Sequence, residues 1–361
     1  MFLIVTTNLA NKGGIERESL DAYNCLKDLG YQVDLLSPFR NSNKRFVKIF
    51  SRITFIFNLL ITIPRSKLVL VMHAKLLTPV RLICLLVNRK AKLICWIHGI
   101  EVWGKEYNLV KNHLIKVDGM IADSYFTLDT MRKIGYQIET LKVVHPMASL
   151  MEGNKENLYI NKDLKLLTVA RIDQTEDYKG HKLILSALSI LRNEDKKYRN
   201  IKWTIIGNGS GVENLKEKIQ EVDLNEQIVL LGFVSDEKLK EEYLKCSVFI
   251  MPSPYGLKSD GYATGEGFGI VYLEAAFAGK ASIGCLQGGQ SDFILNNKTG
   301  WLINSSEAEL VELLKSIYDN NHMLLELGNA AKERANLFFS KNNFNKDLTS
   351  AISYFLANDS S

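Results

Sequence analysis

The fold is decided by Val248-Phe-Ile-Met-Pro-Ser-Pro-Tyr-Gly256 followed, after a loop, by Gly265-Glu-Gly-Phe-Gly-Ile-Val-Tyr-Leu-Glu-Ala-Ala-Phe-Ala-Gly279. Together they predict a strand, a long loop and a helix. Val248 to Met251 is a short apolar run that suits a buried strand, and Pro252 and Pro254 end it. The helix is expected from near Gly269 to Gly279, where a glycine can take the left-handed cap. Glu266 falls in the loop just before this helix, and Glu274 lies one to two turns inside it. Gly265, Gly267 and Gly269 allow a ligand to approach the backbone closely. The N–H groups of the helix start, around Phe268 to Val271, would face an anion such as a diphosphate. The bland reading is equally open on spacing alone. The helix dipole favours a carboxylate near its N-terminus, and glycine-rich strand-to-helix turns also occur where nothing binds.

Outward from this stretch, strands and helices alternate over the whole chain. Its 361 residues are many for one core, so two domains are expected. Apolar residues make up 46% and charged residues 24%, as in ordinary globular proteins. The cysteines, Cys25, Cys84, Cys95, Cys246 and Cys285, are scattered and form no C-x-x-C pair, which predicts reduced core thiols and no zinc site. Met1-Phe-Leu-Ile-Val reads as a first strand and not as a signal peptide. The longest apolar run, Ile53 to Ile63, is too short to span a bilayer. Net charge is +5 but uneven: residues 1–155 carry 22 Lys and Arg against 12 Asp and Glu. No acidic residue occurs between Asp34 and Glu101. Such a field suits an anionic surface or acceptor.

In chain order, Phe2 to Thr6 is a strand and Asn11-Lys-Gly-Gly-Ile-Glu-Arg17 opens a helix that runs to near Gly30, the start of a doubly wound domain. From Lys44 to Ile63, Phe46, Ile49, Phe50, Ile53, Phe57 and Leu60 recur at helical spacing, and Lys44, Lys48 and Arg52 repeat every four residues. This predicts a basic amphipathic helix, either facing the core with a solvated charged side or lying on a membrane surface. Leu93 to Ile97 is a strand that ends at His98-Gly-Ile-Glu101, the end where ligands bind in parallel sheets. Residues Met147 to Asp163 are polar and form the candidate linker. The alternation restarts with the strand Leu164 to Ala170. Arg171 follows it and Lys179-Gly180 precedes the next helix, so the two cations could converge on phosphates. Gly207-Asn-Gly-Ser-Gly211 ends the strand after that, a weak motif on its own. Helices fill the chain beyond Ile303.

The string Glu266-Gly-Phe-Gly-Ile-Val-Tyr-Leu-Glu274-Ala resembles the E-x7-E signature of retaining glycosyltransferases of the GT-B fold, in particular glycosyltransferase family 4. Gly13-Gly14-x-Glu16-Arg17 resembles the family's first glycine loop, which lies against the donor. His98-Gly with the acidic Glu101 resembles its loop facing the donor sugar. Val169-Ala-Arg-Ile-Asp with Lys179-Gly-His resembles the arginine–lysine pair that holds the donor diphosphate. At His145-Pro146 the family often has Asn-Gly, so the chain departs from the pattern there. The resemblance implies two Rossmann-like α/β domains facing across a cleft. The acceptor side would be residues 1–155 and the nucleotide-sugar side residues 164–340, with a last helix, about 341–361, crossing back to the first domain.

The implied reaction moves a sugar from a nucleotide donor to an acceptor hydroxyl with retention, in surface polysaccharide or glycolipid assembly. The implied catalytic residues are Glu266 and His98. The implied donor-binding set is Gly13, Gly14, Arg171, Lys179, Gly267, Phe268, Gly269, Ile270 and Glu274. No cofactor is expected beyond the donor. With no Asp-x-Asp motif, no metal site is expected either. The expected partners are a nucleotide sugar, a sugar acceptor that can be lipid-linked, and an anionic membrane surface, but no nucleic acid; the expected location is the cytoplasm and the inner membrane face. Two other readings compete, a sugar-nucleotide 2-epimerase of similar fold and a non-enzymatic sugar-nucleotide-binding module. A nicotinamide-dependent oxidoreductase is disfavoured, because no Gly-x-Gly-x-x-Gly follows the first strand.

Overall fold

The computed structural model describes all residues except 8, 10–12, 39–44, 105–106, 137–139, 154–162, 175–176, 258–261 and 358–361. Asn11, Lys12, Lys44, most of the expected linker and the last four residues of the expected returning helix therefore lie outside the described residues. The chain divides into two compact units. The first comprises residues 1–147, 258–263 and 341–361, and the second residues 148–257 and 264–340.

The first unit is built on a six-stranded parallel sheet. Its strands are β1 (Phe2–Val5), β2 (Val33–Leu36), β3 (Leu68–Val71), β4 (Lys92–Ile97), β5 (Gly119–Ala122) and β6 (Leu141–Val143), in the order β2-β1-β3-β4-β5-β6. A strand covered on both faces reads as a continuous apolar run, and β1, β3 and β5 are buried at every position. The helices of the unit are α1 (Gly14–Asp28), α2 (Arg45–Thr62), α3 (Leu77–Val87), α4 (Ile100–Trp103), α5 (Tyr107–Leu114) and α6 (Tyr125–Lys133). One face of the sheet, with Ile4, Leu70, Ile94, Trp96 and Ile121, packs on Ala22, Cys25 and Leu26 of α1. It packs also on Phe344, Leu348, Ile352 and Phe355, which belong to the returning C-terminal helix Lys341–Ala357. That helix comes so close that a Cβ at Gly119 would sit 2.2 Å from the Phe355 ring.

The expected helix from Lys44 to Ile63 is present as α2, but the apolar residues picked out by its spacing do not face the core. Phe46, Ile49, Phe50, Ile53, Phe57 and Leu60 are all exposed, and the buried line is Phe55 and Leu59, followed by Ile63. The helix is apolar on both sides, so periodicity identified a stripe without identifying which stripe is inside.

The second unit repeats the plan. Its first four strands are β7 (Lys165–Val169), β8 (Lys202–Ile206), β9 (Ile228–Gly232) and β10 (Val248–Ile250), followed by Ser282–Cys285 and Gly300–Ile303. All pair in parallel, and β7 and β10 are neighbours, with β8 and β9 beyond β7 and the last two strands beyond β10. The order therefore reverses between β7 and β10, the switch point where the two outgoing loops leave in opposite directions and open a crevice. Side chains alternate between the two sheet faces. Leu166, Trp203, Val248, Ile250 and Ile283 join one core, whereas Leu167, Phe249 and Met251 join the other. The helices are α7 (His181–Glu194), α8 (Val212–Glu221), α9 (Asp236–Lys245), α10 (Ile270–Phe277), α11 (Glu307–Asp319) and α12 (Met323–Phe338). The returning helix is α13 (Lys341–Ala357). Thr168 stitches three strands together: it accepts from Trp203 Nε1 at 2.9 Å and donates to the Ile250 carbonyl at 2.5 Å. Both units are thus Rossmann-like. All five cysteines are buried and unbridged, and burial pushes the Cys246 thiol up to about 12.

Candidate functional site

The loops that leave β7 and β10 at the switch point carry most of the expected donor-binding set. Arg171 is exposed two residues beyond β7. Lys179 ends a short 3-10 turn (Asp177–Lys179), and Gly180, at φ 85°, caps α7. A Cβ on Gly180 would lie 2.6 Å from the Pro252 carbonyl oxygen. A glycine there thus lets the β7 loop and the β10 loop touch. The contact brings two residues 87 positions apart together: Lys179 Nζ donates to Glu266 Oε1 at 2.5 Å. Ser253 Oγ donates to the same oxygen at 3.2 Å, and Gly289 N donates to the Glu266 carbonyl at 2.8 Å. Gly289 tolerates no side chain, since a Cβ would meet the Gly267 carbonyl oxygen at 1.7 Å. Lys179 and Glu266 are both largely buried, with side chains 14% and 11% exposed. A pair so placed is screened far less than a surface ion pair.

Gly269, in the left-handed region at φ 83°, turns the chain from this loop into α10. Phe268 is buried and its ring lies tilted against Phe339, 5.9 Å between ring centroids, which anchors the loop to the core. Gly267 is buried beside it, and Ile270 is the first, half-buried residue of α10. Glu274 sits one turn further in, only 2% exposed, and accepts a 2.6 Å hydrogen bond from the Tyr243 hydroxyl at Oε2. Gln290 ties the surrounding turns, donating to the carbonyls of Cys285 at 2.7 Å and Gln287 at 2.9 Å. The site thus offers cations, a held carboxylate and a helix N-terminus at one switch point, a combination suited to a polyanionic ligand that also carries hydroxyls.

In the first unit the expected residues gather at the C-terminal end of the sheet. Gly13 precedes α1, whose first residue is Gly14. Glu16 reaches back so far that a Cβ on Gly13 would meet its carboxylate at 2.4 Å, and its other oxygen accepts from Thr7 Oγ1 at 2.7 Å. His98 stands directly after β4. Its Nδ1 lies 3.0 Å from Glu18 Oε2 on α1 and 3.7 Å from Asp123 Oδ2 after β5, and its Nε2 lies 2.7 Å from the Met72 carbonyl oxygen after β3. Its backbone N–H donates to Glu101 Oε1 at 2.5 Å. With Glu18 and Asp123 ionised, both ring nitrogens face acceptors, an arrangement that the doubly protonated ring satisfies. Burial by itself would lower the His98 pKa. The charges and hydrogen bonds of Glu18 and Asp123, with Glu101, outweigh it and hold the ring well above its ordinary range. Burial pushes Glu18 and Asp123 up, although His98 pulls both back. Among the described residues Glu18 Oε1 is buried without a hydrogen-bond partner, which adds to the cost of its charge.

The structure brings Lys179 and Glu266 into direct contact. It places Arg171, Gly267, Phe268, Gly269, Ile270 and Glu274 on the loops and helix of the same unit, and Gly13, Gly14 and His98 in the other. Sequence reading missed Ser253, Tyr243, Glu18 and Asp123. Only Asp123 had a usable signal, since it ends β5 just as His98 ends the neighbouring β4.

Residues 152–334 match the family model for glycosyl transferases group 1. Among curated proteins, the amylovoran biosynthesis glycosyltransferase AmsK of Erwinia amylovora is 28% identical over 163 residues, 44% of this chain and 38% of AmsK. The putative colanic acid biosynthesis glycosyltransferase WcaL of Escherichia coli K12 is 21% identical over 274 residues, 73% of this chain and 64% of WcaL. The chain thus spans less than two thirds of the length of these relatives. Among solved structures, Anabaena HepE in complex with UDP and glucose superposes with a TM-score of 0.75 at 16% identity, over 98% of this chain and 99% of HepE. At that identity the likeness is one of fold.

Proposed function

We propose, from the premise that this chain belongs to the glycosyl transferases group 1 family, that it transfers a sugar from a nucleotide-sugar donor to an acceptor hydroxyl. The observation that carries the reading is the Lys179–Glu266 contact, held at the switch point of the second sheet beside the start of α10. In this reading Arg171, Lys179 and the α10 N–H groups take the charge that grows on the leaving diphosphate. Glu274, held by Tyr243, serves the donor's ribose hydroxyls, and Glu266 faces the reacting sugar. His98, locked between Glu18 and Met72, presents a fixed positive edge in the first unit. The names of the relatives AmsK and WcaL support surface-polysaccharide assembly as the setting, and the UDP bound to HepE supports a nucleoside diphosphate on the donor.

The reaction proposed retains configuration at the anomeric carbon and needs no metal, because fixed cations and helix donors do the charge work. A panel of nucleotide sugars tested for thermal stabilisation identifies the donor. Incubation of that donor with and without sugar acceptors then tests the activity. A glycoside formed only with acceptor, with the donor's anomeric configuration by NMR and in the presence of EDTA, is the expected result. An altered nucleotide sugar formed without any acceptor would instead identify an epimerase. Loss of activity in EDTA that magnesium or manganese restores would remove the metal-free mechanism.

A further inference from the structure

Helix α2 buries one apolar side and leaves the other in water. On the outer side Phe46 is 86% and Phe50 69% exposed, and Ile53 and Phe57 continue the row. Helix α3 packs against both α2 and α5, and these neighbours add the exposed Leu86 and Leu109. Scattered apolar residues on a surface are ordinary, but a row of aromatic and branched side chains on adjoining helices marks a place where something binds.

The charge around that row indicates what binds. From Leu35 through Ile100 the chain has no carboxylate and twelve Lys and Arg residues. Arg52 on α2 and Arg89 and Lys90 at the end of α3 are exposed. A protein partner's rim mixes both signs of charge, whereas a bilayer of anionic lipid presents hydrocarbon beneath a continuous layer of phosphates. An apolar stripe flanked by the exposed cations Arg52, Arg89 and Lys90, with Asp34 on β2 as the nearest exposed carboxylate in sequence, fits the second. At 18 residues α2 is about 27 Å long and would lie flat on such a surface. Among the described residues no helix is long and apolar enough to cross a membrane.

We propose that the outer face of α2, with the adjoining parts of α3 and α5, docks on an anionic lipid bilayer. Phe46, Phe50, Ile53 and Phe57 enter the boundary between headgroups and acyl chains, and Arg52, Arg89 and Lys90 meet lipid phosphates. This docking needs neither donor nor acceptor, so it stands or falls apart from the transfer reaction. The test is sedimentation of the purified chain with vesicles of phosphatidylcholine alone or mixed with phosphatidylglycerol. The expected result is binding to the mixed vesicles at low salt, release at high salt and little binding to phosphatidylcholine. Arg52→Glu, Arg89→Glu and Lys90→Glu together should weaken binding about 100-fold or more, from three charges near an anionic surface. Phe50→Ser with Phe57→Ser should also release the protein at low salt. These positions face water, so circular dichroism should confirm an unchanged fold. A Phe50→Trp variant should show a blue-shifted emission that brominated lipid quenches. Protein that stays in the supernatant with mixed vesicles at low salt would overturn the proposal. So would binding that both sets of substitutions leave unchanged, or a stable dimer that Phe50→Ser dissolves and lipid does not, since the face would then belong to a second copy of the chain.

Discussion

Lys179 and Glu266 neutralise one another at 2.5 Å, and a donor diphosphate arriving beside them would compete for the lysine. Replacing Arg171 or Lys179 by Ala should therefore remove about 2–4 kcal/mol of transition-state stabilisation, read as kcat/KM for the preferred donor. Near wild-type values in both variants would take the phosphates away from these residues. The two glutamates should separate kinetically. Glu266→Gln should lower kcat more than donor affinity, and Glu274→Ala, which also strips Tyr243 of its acceptor, should mainly raise KM. The opposite pattern would reverse their order along the donor. His98 is expected to keep the NMR signature of an imidazolium at neutral pH. Its pKa and those of Glu18 and Asp123 all lie above their ordinary values, so the folded unit holds more protons than the unfolded chain. Stability should then fall as pH rises. For His98 the contribution is complete below about pH 6.5 and lost as pH climbs through its raised pKa. A neutral His98 at pH 7, or a pH profile that His98→Gln leaves unaltered, would contradict this.

The elements of the sheets were the most legible in the sequence. Strands such as Phe2–Val5 and Val248–Ile250 are continuous apolar runs because both their faces are covered, and that leaves a mark in a single line of letters. The ends of the loop between Pro252 and Gly269 were legible for the same reason in reverse, since prolines and glycines restrict or free the backbone locally, but the short strands within it, Gly256–Leu257 and Ala263–Thr264, were not. What could not be read was anything set by distance across the fold. The Lys179–Glu266 bond joins two crossover loops, and Glu18 reaches His98 from a helix 80 positions earlier. Helix α2 shows a further limit: periodicity says which residues share a face but not which of two apolar faces is inside. Helix α13 gives a direct test of packing. Phe355 is buried against Gly119, so Phe355→Ala should cost about 3–5 kcal/mol by the cavity it leaves. Chemical denaturation of the first unit, followed by its own probes, should register the loss. A change below about 1 kcal/mol would mean that α13 repacks easily.

At the scale of the whole molecule, each unit has a core of its own, and a single unfolding free energy does not describe such a chain. Calorimetry should resolve two transitions. A bound donor should raise the one belonging to the second unit, by about 2.7 kcal/mol at a hundred times its Kd, and Phe355→Ala should lower the other. One transition that moves as a block under both changes would contradict this independence. The return of α13 to the first sheet also fixes an order of events during synthesis. The second unit is continuous apart from one short excursion and leaves the ribosome before Lys341. The first unit lacks Phe344, Leu348, Ile352 and Phe355 until α13 emerges. Of the two units, the one that starts first along the chain is therefore the one completed last. Until then a sheet face around Trp96 lacks the cover that α13 gives it, the kind of surface on which nascent-chain chaperones act.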